Sequence, residues 1–116
     1  MKNNNEKIKD FKLSIRILLG SVGFKEDKDI RPLTIRVVYR RQKKEYVLGW
    51  KVHVSNFLQE KERVCYSETG NLKRKDICII NRAIDQERAK LLNSFNWLKK
   101  EFQDFDIQTI LSDVSK

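Results

Sequence analysis

The sequence predicts an α+β fold: a three-stranded antiparallel sheet packed on one face by a long C-terminal helix, with a short helical linker at the C-terminus. Three features lead there. Residues 33–52 carry two stretches in which apolar side chains recur at every second position, and residues 11–19 carry a third. From about residue 75 the apolar period lengthens to that of a helix. Strands followed by one long helix leave the helix to cover one sheet face and solvent to meet the other.

The stretch 33–52 organises the rest. Leu33, Ile35, Val37 and Tyr39 fall on one face, and Thr34, Arg36, Val38 and Arg40 on the other. Its second half sets Tyr46, Leu48, Trp50 and Val52 against Glu45, Val47, Gly49 and Lys51. A fold at residues 41–44 is expected to pair Tyr39 with Tyr46, Val37 with Leu48, Ile35 with Trp50 and Leu33 with Val52. The opposite face would pair Val38 with Val47, Arg40 with Glu45 and Arg36 with Gly49. A one-residue slip would turn every apolar group to water, so which face each residue takes is strongly specified. The hairpin therefore has one apolar face and one basic face.

The remaining elements follow in order. Residues 1–10 are polar and expected to form a disordered tail. In residues 11–19, Phe11, Leu13, Ile15, Ile17 and Leu19 alternate with Lys12, Ser14, Arg16 and Leu18, giving a first strand. Residues 20–31 hold two glycines and a dense run of charge, and read as a loop. Pro32 has no amide hydrogen and suits a strand start. Beyond Val52, Ser55 or Asn56 suits a cap, with Phe57 and Leu58 folding back on the sheet edge. Residues 59–71 read as a polar connection. Ile77, Ile80, Ile84, Leu91, Phe95, Leu98 and Phe102 then recur at helical spacing, interrupted by Glu87, with Asp76 as the expected N-cap. A helix of roughly 25 residues outruns a small sheet, so its last turns are expected to lie over nothing. Asp106 suits the cap of a short helix through Val114. The expected organisation is a tail over 1–10, a domain over 11–104, and a linker over 105–116 towards a core-binding domain outside this sequence.

Composition narrows the function. A chain of 116 residues has room for one modest core. Its formal net charge is +9. Residues 31–51 hold seven cations (Arg31, Arg36, Arg40, Arg41, Lys43, Lys44 and Lys51) against the one anion Glu45, a net +6. Such a charge favours DNA, RNA or an anionic membrane surface as partner, although cations on a sheet also guard it against aggregation. No apolar run approaches the ~18 residues that span a bilayer. The first ten residues lead into no apolar signal segment, which points to a cytoplasmic protein.

Chemistry is sparse. Cys65 and Cys78 lack metal-ligand spacing, and the only histidine is His53, so reduced thiols are expected, with Cys78 near the helix core. No metal and no cofactor is implied. His53 has no nucleophile at a recognisable spacing. Cys65 has no His/Asn partner pattern, and Tyr46 and Tyr66 lack an arginine–histidine constellation. Trp50 and Trp97 read as packing groups. The chain is expected to be non-catalytic.

One family fits these residues. Pro32-Leu33-Thr34-Ile35-Arg36-Val37, then Leu48-Gly49-Trp50-Lys51-Val52, then Arg63-Val64, then Asn81 to Ile84 within a long helix resemble the N-terminal arm-DNA-binding domain of tyrosine recombinases. The likeness is to integrases of phages and of conjugative transposons from Bacteroides-type bacteria, and it spans residues 11–114. Phe57-Leu58 departs from the family's usual tryptophan-aspartate. Trp50 stands where isoleucine or threonine is common.

The resemblance implies sequence-specific binding of double-stranded DNA, with the three-stranded sheet laid into the major groove. It further implies a role in DNA integration and excision of a mobile element, in a bacterial cytoplasm, bound to the nucleoid when engaged. The catalytic residues, and contacts to other recombinase subunits, would belong to domains outside this sequence. On the outward face the implied contacts are Lys12, Ser14, Arg16, Thr34, Arg36, Val38, Arg40, Val47 and Lys51, with Arg41, Lys43 and Lys44 at the hairpin tip. Arg36 and Arg40 are expected at guanine edges and Val38 at a thymine methyl. Lys12, Arg41, Lys43, Lys44 and Lys51 are expected at phosphates. The competing classes are a double-stranded-RNA binder, which a charge reversal at Arg36 would spare, and a protein-interaction module, which a low-salt DNA titration would separate.

Overall fold

The computed structural model describes residues 12–102 and 104–115. The expected tail, residues 1–10, and the start of the expected first strand at Phe11 lie outside them. Three strands, β1 (Ser14–Leu19), β2 (Ile30–Tyr39) and β3 (Gln42–His53), form an antiparallel sheet in the order β1-β2-β3. A 3-10 turn (Val54–Asn56) and a two-strand hairpin of β4 (Phe57–Leu58) and β5 (Arg63–Val64) follow. Helix α1 (Arg74–Glu101) and helix α2 (Ile107–Val114) complete the chain. The architecture is the α+β arrangement that the sequence predicts.

Ile17, Leu33, Ile35, Val37, Tyr39 and Val52 are buried on the sheet's inner side, and Ile80, Ile84, Leu91, Phe95 and Leu98 are buried along α1. Each fully buried aliphatic side chain contributes about 1.5–3 kcal/mol relative to exposure. The helix keeps Glu87 within this stripe because the half-buried Tyr46 hydroxyl donates to its carboxylate at 2.7 Å. At the helix start the expected cap is corrected. Lys73 occupies the N-cap, and Asp76, three residues on, accepts from the Lys73 N–H at 3.0 Å.

The hairpin register also differs from expectation. Tyr39 pairs with Gln42, Val37 with Lys44, Arg36 with Glu45, Ile35 with Tyr46 and Thr34 with Val47. The cause is the turn. Arg40 and Arg41 close it in two residues with φ of 52° and 68°, the double left-handed turn whose twist matches the flanking strands. Leu33 then spans Leu48, Gly49 and Trp50, so β3 carries a two-residue bulge, with Gly49 at φ 93°. Below the bulge Val52 pairs with Arg31. Both departures are even, four residues at Tyr39 and two at Val52, so the paired strand residues keep their expected faces.

The polar connection expected over 59–71 contains β5 and is tied down by side-chain amides. Asn56, fully buried, donates to the Cys65 carbonyl and accepts from the Asn71 N–H, at 2.8 and 2.9 Å. Asn81 of α1 accepts from the Val64 N–H and donates to the Val64 carbonyl, as a neighbouring strand would. Asn71 makes the same double bond to β3, at the His53 N–H and the Lys51 carbonyl. On the β1 edge, Glu62 accepts from the Ile17 N–H at 2.9 Å and Arg88 donates to the Ile15 carbonyl at 3.3 Å.

The last turns of α1 do not lie over nothing. Helix α2 folds back on them, capped by Asp106, which accepts from the Thr109 N–H at 3.0 Å. Phe105, Ile107 and Ile110 are buried. Tyr39 stacks on Phe105 with ring centroids 5.2 Å apart, and Phe95 meets both rings edge-on. Ser94 donates to Asp113 at 2.6 Å. Two packing expectations fail. Phe102 turns outward to meet the half-exposed Trp97 edge-on, and Cys78 is exposed, because Ile77 and Ile80 take the inward positions beside it.

Candidate nucleic-acid interface

Helix α1 covers one side of the sheet, so the other side is the candidate surface. The strand pairing fixes its occupants. Ser14 lies opposite Val38, Arg16 opposite Arg36, and Leu18 opposite Thr34. Continuing across, Val38 meets Lys43, Arg36 meets Glu45, Thr34 meets Val47, and Pro32 meets Lys51. Arg16, Arg36, Val38, Val47 and Lys51 thus share one face, which the alternation of the sequence anticipates, and Lys43, expected in the turn, joins them there. Val47 is 61% exposed there. Thr34 shares the face but is buried, its hydroxyl spent on the Pro32 carbonyl at 3.1 Å.

Several cations of the basic run are held by specific partners. Arg36 bonds Glu45 and Arg16 bonds Glu62. Lys51 sits over the Phe24 ring, 4.6 Å from its centroid. Arg31 donates to the Ser21 carbonyl at 3.0 Å and so closes the loop after β1. Arg40, expected on the outer face opposite Glu45, instead reaches around the hairpin tip to the Asp104 carboxylate and the Phe105 carbonyl. Its left-handed backbone breaks the strand alternation, which is why parity misplaces it. Arg41 stays exposed at the turn. Lys43 and Lys44 border an open depression beside Asp106, Ile107 and Gln108 at the start of α2. Lys44 pairs with Val37, so it belongs to the helix side of the sheet. Lys12 is exposed just before β1.

Glu62 is the residue that sequence reasoning missed. It lies in a short loop with φ 57° and takes donors from Ile17, Arg16 and Arg88. Burial pushes its carboxyl up, but the Ile17 N–H and the two guanidinium groups outweigh that and hold it below the usual carboxylate range. It is therefore ionised at neutral pH.

Asp27, Asp29 and His53 bring three possible ligand atoms within 4.8 Å of one another, a grouping their separation in sequence hides. His53 Nδ1 accepts the Ser55 N–H at 3.1 Å. Among the described residues no helix is long and apolar enough to cross a membrane.

The sheet is backed by a helix and sets two arginines side by side on its uncovered face. Residues 25–111 match the arm DNA-binding domain, and the chain belongs to that family. DNA is thus its partner, and the module is of the kind found in integrase-like proteins. No curated protein and no solved structure matches the chain significantly.

Proposed function

We propose that this chain is the N-terminal module of a site-specific tyrosine recombinase. It binds double-stranded DNA sequence-specifically and recruits the enzyme to arm-type sites during integration and excision of a mobile element. The observation that carries this reading is the cross-strand neighbourhood of Arg16 and Arg36 on the uncovered face of a sheet in an arm DNA-binding domain. A major groove about 12 Å wide admits a β-ribbon, so the uncovered face of the strands can be laid against the base edges.

Arg16 and Arg36 take base edges, with Ser14, Val38 and Val47 beside them and Thr34 as their packed support. Lys12, Arg41, Lys43 and Lys51 surround that centre and suit phosphates, and Lys44, on the helix side of β3, suits a phosphate beyond the hairpin end. Arg40 holds the hairpin tip. Strand cleavage and joining, and contacts to other subunits, fall to domains outside this sequence.

The test is a duplex titration over a salt series. With about five phosphates neutralised, the logarithm of affinity should fall against the logarithm of salt with a slope of roughly −4 to −5. A slope near zero on every duplex, or stronger binding to double-stranded RNA than to DNA, would overturn the proposal.

A further inference from the structure

Arg16 and Arg36 are directly opposed across β1 and β2. Two like charges so placed repel one another. Each, however, is flanked by an acid on its far side. Arg36 lies opposite Glu45 on β3, and Glu62 approaches Arg16 from beyond the β1 edge. A row therefore crosses the sheet in the order Glu62, Arg16, Arg36, Glu45, with charges minus, plus, plus, minus.

The atoms used matter more than the charges. Both carboxylates take the guanidinium at Nε, each at 2.5 Å. An arginine has five N–H donors, and the four on Nη1 and Nη2 form the outer fork that grips two acceptors at once. A bond at Nε fixes the plane of the group and leaves that fork pointing onward. The two side chains remain 55% and 37% exposed. An untethered arginine has rotamer entropy, part of which must be given up whenever it binds in one geometry. Fixing Nε beforehand removes part of that cost from the DNA-binding step.

We infer that Glu45 and Glu62 are positioning residues for DNA recognition, holding Arg36 and Arg16 as a pair of aligned forks for guanines on neighbouring base pairs. The inference rests on the function proposed above and deepens it. Side chains directly opposed on two strands stand about 5 Å apart at Cβ, and successive base pairs rise about 3.4 Å. Two guanidinium groups so anchored can therefore meet the O6 and N7 acceptors of adjacent or next-adjacent guanines. Glu62 is the firmer support, since the Ile17 N–H and Arg88 hold its own carboxylate in place. Glu45 is more exposed, 38% against 13% for Glu62.

The experiment uses the full chain and a duplex recovered from a randomised pool by the wild-type protein. Each guanine in the recovered site is replaced singly by 7-deazaguanine, which lacks the N7 acceptor. For wild type, replacement at two neighbouring positions should cost about tenfold or more in affinity. In Glu45→Gln, the penalty at the position read by Arg36 should shrink to about threefold or less. Affinity of Glu45→Gln for random duplex should stay level or rise, because an acid facing phosphates has been removed. Glu62→Gln should erase the penalty at the other position, with thermal melting used to confirm that it folds.

If Glu45→Gln keeps the whole wild-type penalty at both positions, the acids only offset charge and the inference fails. A wild-type chain that recovers no duplex from the pool would instead sink the proposed function itself.

Discussion

Arg40 donates through Nη1 to the carbonyl oxygen of Phe105 at 3.3 Å and, through the same nitrogen, to the Asp104 carboxylate. The Phe105 ring meanwhile stacks on Tyr39, the last residue of β2. The hairpin tip is thus fastened to the segment between the two helices by a polar and an apolar contact one residue apart. Arg40→Ala should lower stability by about 1–2 kcal/mol, the range for a charged hydrogen bond to a partly exposed site. Chemical denaturation measures it, and a fall in salt concentration should enlarge the difference.

Arg41 occupies the second turn position with a left-handed backbone, φ 68°. Left-handed geometry costs a residue with a Cβ roughly 1–2 kcal/mol, and glycine avoids that cost. Arg41→Gly should therefore raise the melting temperature. The same variant should lower the salt slope of DNA binding by about one unit if Arg41 meets a phosphate. Stability and affinity moving in opposite directions is the expected signature.

Ile35 is wholly buried and Val47 is 61% exposed. Ile35→Ala should cost about 2–5 kcal/mol and Val47→Ala less than about 0.5 kcal/mol. Equal costs would mean that the two sheet faces are assigned wrongly.

Burial, with the bond to Glu87 second, raises the Tyr46 hydroxyl above its ordinary value of 10.0. The folded state therefore holds this proton more tightly than the unfolded chain does. Its contribution to stability is whole below pH 10 and is lost as pH climbs from there towards the folded-state value. Tyr46→Phe should be less stable at pH 7 yet lose less stability between pH 9 and 11 than wild type. Urea titrations across that range decide it.

A Cβ on Gly70 would lie 2.0 Å from Asn56 Oδ1. That oxygen is fully buried and accepts the Asn71 N–H, so it has no open space to yield into. Gly70→Ala should cost about 2–4 kcal/mol by leaving buried polar groups without partners. Gly49→Ala, with nothing within 4 Å but φ at 93°, should cost about 1–2 kcal/mol through backbone strain alone.

Alternation made the two sheet faces legible, because a pleated strand sends neighbours to opposite sides whatever its register. Ile35 and Arg36 were placed on that ground alone. Register was not legible, since Arg40-Arg41 carries none of the Asn-Gly or Asp-Gly chemistry that announces a two-residue turn. The Arg36–Glu45 pair followed from the turn and could not be read without it. Glu62 lies 46 residues from Arg16, and no periodicity links them. The β4–β5 hairpin is equally silent in sequence, because strands of two residues have no period to detect.

The amide and carboxylate bonds at the strand margins also bear on self-association. Open strand edges invite another chain to extend the sheet, the route to swapped dimers and fibrils. Here Glu62 and Arg88 occupy the Ile17 N–H and Ile15 carbonyl on one margin, and Asn71 occupies the His53 N–H and Lys51 carbonyl on the other. An incoming strand would have to evict these side chains before forming its first backbone bonds. Copies crowded onto neighbouring DNA sites gain no shared sheet at these positions, so any cooperativity between them must come through the DNA or through other surfaces.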